Sequence, residues 1–237
     1  IRRQRQMCIR DRRGAGDKVC EYNKALVALS REAAAGKAMV AGDMAPTGQF
    51  IIPFGDMSFE ELVEIYAEQA AALERAGVDL FLIETTMTMA EARAAVLAVK
   101  AASEKPVFVT FTCDENGRTL SGTDVLSALI VMQGMGVSAF GLNCSAGPDM
   151  LLEQLRRLTP YALVPLIAKP NAGLPVTEGG ETVFPCGAAE FASYVPALAE
   201  AGVRIFGGCC GTTPEHIAAL KAAAEAVDYT LSLIHIS

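Results

Sequence analysis

Short apolar runs alternate along this chain with longer segments whose apolar positions recur at helical spacing. The runs at 38–42, 80–84, 107–112, 139–143, 164–168 and 204–207 are bounded by glycine or polar residues and read as strands. Their near-continuous apolar character suits a parallel sheet covered on both faces. Between them the helical period predicts helices at 21–35, 58–76, 90–103, 123–135, 148–158, 188–201 and 214–226. The segments 74–84, 132–143 and 199–208 align with one another, each a helix end, a glycine stop and a strand. Gly77, Gly136 and Gly202 are therefore predicted to take the left-handed conformation that closes a helix.

Strict alternation of strand and helix implies right-handed crossovers between parallel strands, in a closed barrel or an open doubly wound sheet. The polar residues tip the choice. Asp43, Glu84, Thr110, Thr112, Asn143, Cys144, Lys169, Asn171, Cys209 and Cys210 all fall at or just past the carboxyl end of a predicted strand. A barrel gathers those ends into one mouth, whereas an open sheet spreads them along an edge. Six strands are two short of a full barrel. The expected fold is thus α/β, a TIM-type (β/α)8 barrel truncated at the N-terminus, with the first one or two βα units missing.

The ends of the chain differ from the rest. Residues 1–13 are basic and aperiodic, and residues 229–237 follow a finished helix. Both are expected to be non-native or disordered, leaving 14–228 as the partial barrel and setting Cys8 and His235 aside. With 237 residues, 51% of them hydrophobic and 20% charged, the chain can bury one substantial core. A net charge of -7 argues against nucleic acid, which needs a clustered basic surface. No run is apolar enough to cross a bilayer and no export signal is evident, so the expectation is a cytoplasmic protein without a membrane partner. Seven cysteines in that setting point to metal or catalytic use rather than to a disulfide framework.

The thiols supply the candidate chemistry. Asn143-Cys144 follows one apolar run, and Gly207-Gly208-Cys209-Cys210-Gly211-Thr212-Thr213-Pro214 follows another. Adjacent cysteines cannot readily bridge to each other, because a disulfide needs separated Cα atoms and a defined torsion. A metal suits them better. Taken singly, each of these cysteines is core filler before it is a ligand; three at strand ends reverse that weighting. Cys20, Cys113 and Cys186 have no such context and are expected to be structural. Glu84 can be read as a pocket carboxylate or as a cap for the next helix. Asn171 lies in a Pro-Asn-Ala-Gly turn that favours asparagine on local grounds alone. His216 falls in the first turn of a helix capped by Thr213 and is expected to pack. The Gly-Gly-Cys-Cys-Gly stretch lacks the lysine and spacing of a phosphate loop.

Three motifs together carry a resemblance: Gly141-Leu142-Asn143-Cys144-Ser145-Ala146-Gly147-Pro148, Lys169-Pro170-Asn171-Ala172-Gly173-Leu174-Pro175 and Gly207-Gly208-Cys209-Cys210-Gly211-Thr212-Thr213-Pro214-Glu215-His216. They resemble the zinc-dependent homocysteine S-methyltransferase family across most of residues 17–228. Thr110-Phe111-Thr112 with Asp114-Glu115-Asn116-Gly117-Arg118-Thr119-Leu120-Ser121-Gly122 is most similar to the homocysteine-binding barrel of cobalamin-dependent methionine synthase. The resemblance implies zinc on Cys144, Cys209 and Cys210. It implies substrate contacts from Glu84, Asn143 and Asn171, with Glu84 on the ammonium and Asn171 at the fourth metal position until homocysteine displaces it. It implies methionine as product, methylcobalamin as donor, and partner modules that bind cobalamin and methyltetrahydrofolate. A relative using S-methylmethionine or betaine is the alternative enzyme, and a non-catalytic zinc-binding fragment the alternative of another class. The family's acidic residue on the first strand has no counterpart here, so this fragment is expected to be weakly active or inactive alone.

Overall fold

The computed structural model describes residues 18–229. The basic start and the tail beyond 229, with Cys8 and His235, lie outside the described residues. The elements run α1 (Val19–Ala34), β1 (Ala41–Met44), α2 (Phe59–Ala76), β2 (Leu80–Thr86), α3 (Met89–Ala102), β3 (Val107–Phe111), α4 (Val125–Gly134), β4 (Ala139–Cys144) and α5 (Pro148–Leu158). They continue with β5 (Leu166–Pro170), β6 (Val176–Glu178), β7 (Glu181–Val183), α6 (Ala188–Ser193), α7 (Val195–Glu200), β8 (Val203–Phe206) and α8 (Pro214–Glu225).

Six strands form one sheet in the order β1-β2-β3-β4-β5-β8, with parallel registers at β1–β2, β4–β5 and β5–β8. That order settles the choice of fold. A doubly wound sheet reverses direction at a switch point, so its first strand lies inside the sheet. Here each strand pairs with the next one in the chain, as in the α/β barrel class, and β6–β7 is a separate antiparallel hairpin.

The chain divides into two compact units. The first holds residues up to 109 together with 135–138, and the second holds 110–134 and 139 onward. In the first unit, α2 starts on a capping box in which Ser58 and Glu61 satisfy each other's backbone N–H groups. It stops at Gly77, whose φ of 80° lets the chain turn into β2. Gly136 and Gly202 take φ of 74° and 80° at the other two stops, as the repeat predicts. In the second unit, Phe191, Val195, Leu220 and Cys186 form a buried cluster beneath α6, α7 and α8.

Three expectations shift. The strand placed at 38–42 is β1, Ala41–Met44, because the Asp79 carboxylate takes the Val40 N–H at 2.6 Å before the ladder begins. The helix placed at 188–201 breaks into α6 and α7 around Tyr194. Pro196 has no N–H to give, and its ring crowds the carbonyl one turn back. The β6–β7 hairpin falls where no strand is expected, although Gly179-Gly180 between alternating residues is a hairpin signal.

Glu91, only 4% exposed, locks the segment after β1 to α3. Its carboxylate accepts from the Thr47 backbone N–H at 2.7 Å and the Thr47 hydroxyl at 2.8 Å, and the Tyr66 hydroxyl stands at 3.0 Å. Glu91→Ala strands these buried donors and is expected to cost about 3 kcal/mol, whereas Glu91→Gln keeps an acceptor and costs less. The urea midpoints of the two variants check this; an Ala midpoint equal to wild type contradicts it.

Candidate metal centre

Three strand ends of the second unit build the centre. Residues 143–144 close β4, residues 170–171 close β5, and residues 207–210 follow β8. The register sets Asn143 beside Lys169, Cys144 beside Pro170 and Ala168 beside Phe206. Main-chain bonds then lace the post-β8 loop along the end of β5. Gly207 N–H donates to Ala168 O at 3.0 Å, Cys209 N–H to Pro170 O at 2.9 Å, and Ala172 N–H to Cys210 O at 2.9 Å. On the other side, Asn171 N–H donates to Ala146 O at 2.9 Å. Residues 168–172 thus splint the two thiol-bearing segments together.

The splint brings the Sγ atoms of Cys144, Cys209 and Cys210 within 4.8 Å of one another. Cys144 and Cys210 stand 3.9 Å apart. Two thiolates on one tetrahedral zinc, each at about 2.3 Å, are about 3.8 Å apart, so this donor set fits zinc. Among the described residues the cluster holds three thiols and no fourth histidine, cysteine or carboxylate. A structural zinc site is closed by four protein ligands, and three is the count of a site that takes substrate. Cys144 and Cys209 are half-buried and Cys210 is exposed, so the centre is open on one side.

Two asparagines flank the sulfurs, both buried. Asn143 Nδ2 donates toward Cys209 Sγ at 3.7 Å. Asn171 Oδ1 accepts the Cys210 N–H at 3.0 Å, which fixes the loop carrying the vicinal pair. Glu84 lies in β2, in the first unit. It does not cap the following helix: the Thr88 side chain does, accepting from Glu91 N–H at 3.2 Å. His216 packs as expected, with Nδ1 taking the Thr213 N–H at 3.2 Å and Nε2 2.9 Å from Cys186 O. Cys113 and Cys186 are buried, whereas Cys20 is exposed beside Arg75.

The thiols do not titrate alike. Hydrogen bonding from the Cys209 side chain draws Cys144 down from an ordinary 9.0 to about 7, against the opposing effect of burial. Burial raises Cys210, and the neighbouring Cys209 adds to it. Burial also pushes Cys113 up to about 11.

The sequence profile of the homocysteine S-methyltransferase family matches residues 5–224, and the chain belongs to that family. It is 36% identical over 193 residues to a methionine synthase of Mycobacterium leprae and 35% identical to one of Mycobacterium tuberculosis. Each alignment covers 79% of this chain but 16% of the relative, so the chain spans a small part of those proteins. The apo form of the homocysteine methyltransferase MmuM from Escherichia coli superposes with a TM-score of 0.67 at 27% identity, covering 86% of this chain and 74% of MmuM. Its metallated form gives 0.67 at 26% identity. A dihydrodipicolinate synthase from Agrobacterium tumefaciens, at 15% identity and a TM-score of 0.52, shares the fold alone.

Only a thiolate reacts readily with an alkylating agent, so lowering the pKa of Cys144 makes it reactive near neutrality. In metal-free protein, alkylation of Cys144 by iodoacetamide is expected to rise with a midpoint near pH 7, while Cys113 stays inert there. Mass spectrometry of the labelled residues reads both. A Cys144 midpoint at the ordinary value of 9.0 contradicts this.

Proposed function

We propose that this chain activates homocysteine for methyl transfer, with zinc held by Cys144, Cys209 and Cys210. The convergence of these three thiols on an open side of the second unit carries the reading. A free aliphatic thiol is mostly protonated near neutral pH, and its thiolate is the nucleophile. Bound zinc supplies the Lewis acidity that removes this proton without a strong base. The three cysteine sulfurs are soft donors, which leave a coordinated substrate sulfur electron-rich. Asn143 orients Cys209, and Asn171 holds the backbone of Cys210, so the two amides keep the thiols in register. Glu84 is the candidate for the substrate ammonium by family resemblance. In the transfer, the homocysteine sulfur attacks the methyl carbon and a new S–C bond forms. The donor–methyl bond breaks with its electron pair left on the donor, and the thiol proton passes to solvent. The product is methionine.

Methylcobalamin on a separate module, recharged by methyltetrahydrofolate, is the donor we favour. The support is similarity to two methionine synthases of which this chain spans only 16%. Similarity to MmuM, named simply as a homocysteine methyltransferase, keeps S-methylmethionine and betaine as the alternative donors. Turnover assays with each donor separate them.

Metal analysis and X-ray absorption of the purified chain test the centre. One zinc per chain is expected, lost in Cys209→Ser, with sulfur coordination rising from about three to about four when homocysteine is added. Glu84→Gln is expected to raise the half-saturating homocysteine concentration about tenfold with the zinc content unchanged. Soluble, folded protein without zinc, or a coordination shell indifferent to homocysteine, overturns the assignment.

A further inference from the structure

Cys144 and Ser145 carry φ of 61° and 64°, two successive non-glycine residues in the left-handed region. Left-handed backbone is costly for an L-residue and persists only where its surroundings hold it. The turn tightens further, because Ala146 N–H donates to Cys144 O at 2.8 Å, closing a three-residue turn around Ser145. This positive-φ form of the turn is rare and strained. Relaxing it would rotate the Cys144 backbone and swing its Sγ away from Cys210.

One side chain opposes that relaxation. Ser145 Oγ accepts the Cys113 N–H at 2.9 Å and shares a hydrogen bond with the Thr112 hydroxyl. Thr112 and Cys113 directly follow β3, so the serine ties the turn after β4 to the end of the neighbouring strand. We infer that the Ser145–Thr112 hydroxyl pair is a clamp that positions Cys144 for metal and substrate. Neither hydroxyl touches the three sulfurs among the contacts described, so both act through the backbone of Cys144. Groups that orient metal ligands in this way typically change metal affinity about 10–100-fold when removed. The inference rests on the metal-centre reading above, and its test separates the two.

The test compares Ser145→Ala, Ser145→Gly, Thr112→Val and Thr112→Ser with wild type. Two readouts are used: zinc affinity by competition with a chromophoric chelator, and the iodoacetamide rate of Cys144 in metal-free protein at a fixed pH. Ser145→Ala and Thr112→Val are expected to weaken zinc at least tenfold and to change the alkylation rate at least threefold. Thr112→Ser, which keeps the hydroxyl, is expected to stay within twofold of wild type in both. Ser145→Gly separates strain from clamping, since glycine removes the backbone cost but also the hydroxyl. A clamp predicts that it weakens zinc like alanine, and wild-type affinity in Ser145→Gly overturns the inference. So do wild-type values for Thr112→Val, which alters the other partner should the Ser145 variants not fold. A wild-type chain that takes up no zinc refutes the metal reading alone; the alkylation comparison then decides on the clamp.

Discussion

The backbone of residues 168–172 is the constraint on which the centre depends. Its carbonyls and amides are spent on the two neighbouring thiol-bearing segments: Ala168 O and Pro170 O on the loop after β8, Ala172 N–H on Cys210 O, Asn171 N–H on Ala146 O. Cys144 and Cys209 are 65 positions apart by their numbers, far too distant for local geometry to relate them. A strand between them, parallel to both neighbours, converts that separation into adjacency. Gly141 permits the close fit. A Cβ there would lie 2.0 Å from the Ile167 carbonyl oxygen, so β4 could not seat against β5 with any larger residue.

Electrostatics add a second constraint. Three thiols within 4.8 Å cannot all ionise without a cation, because like charges this close raise one another's pKa. The shifts are opposed: hydrogen bonding from the Cys209 side chain lowers Cys144, whereas burial and the neighbouring Cys209 raise Cys210. A cation reverses the penalty, and its binding is then coupled to proton release from the cluster. The asparagines suit this state, since Asn143 Nδ2 directs an N–H at Cys209 Sγ and Asn171 Oδ1 holds the Cys210 N–H.

Much of this was legible in the sequence, for physical reasons. Glycine stops at 77, 136 and 202 mark helix ends because left-handed backbone is costly for other residues, and the structure has positive φ at all three. Strands covered on both faces read as apolar runs, so the alternation and the parallel sheet followed, and the thiols were found at strand ends as expected. Boundaries were less legible where a side chain competes for the backbone, as Asp79 does at Val40 and Pro196 does inside the helix after Ala188. By sequence Asn171 reads as ligand or turn residue, and its contact with the Cys210 N–H is a feature that no local pattern encodes. The Ser145–Thr112 contact spans 33 residues and depends on two side-chain rotamers, so no spacing in the sequence announces it.

The proposed chemistry of the centre bears on how this fold can sit within relatives of which it makes up very different shares. On the function proposed above, everything the three sulfurs would do concerns the acceptor: they would fix a position for another sulfur and keep it electron-rich. Nothing in that task requires the donor to be held by the same residues. On that reading, a methyl group presented by a separate module or by a small onium compound would meet the same activated sulfur, provided its carbon arrived in line with the breaking bond. Donor specificity then belongs to whatever surrounds the approach to the sulfurs. The match of this chain to 16% of a methionine synthase and to 74% of MmuM is compatible with that proposed division of labour.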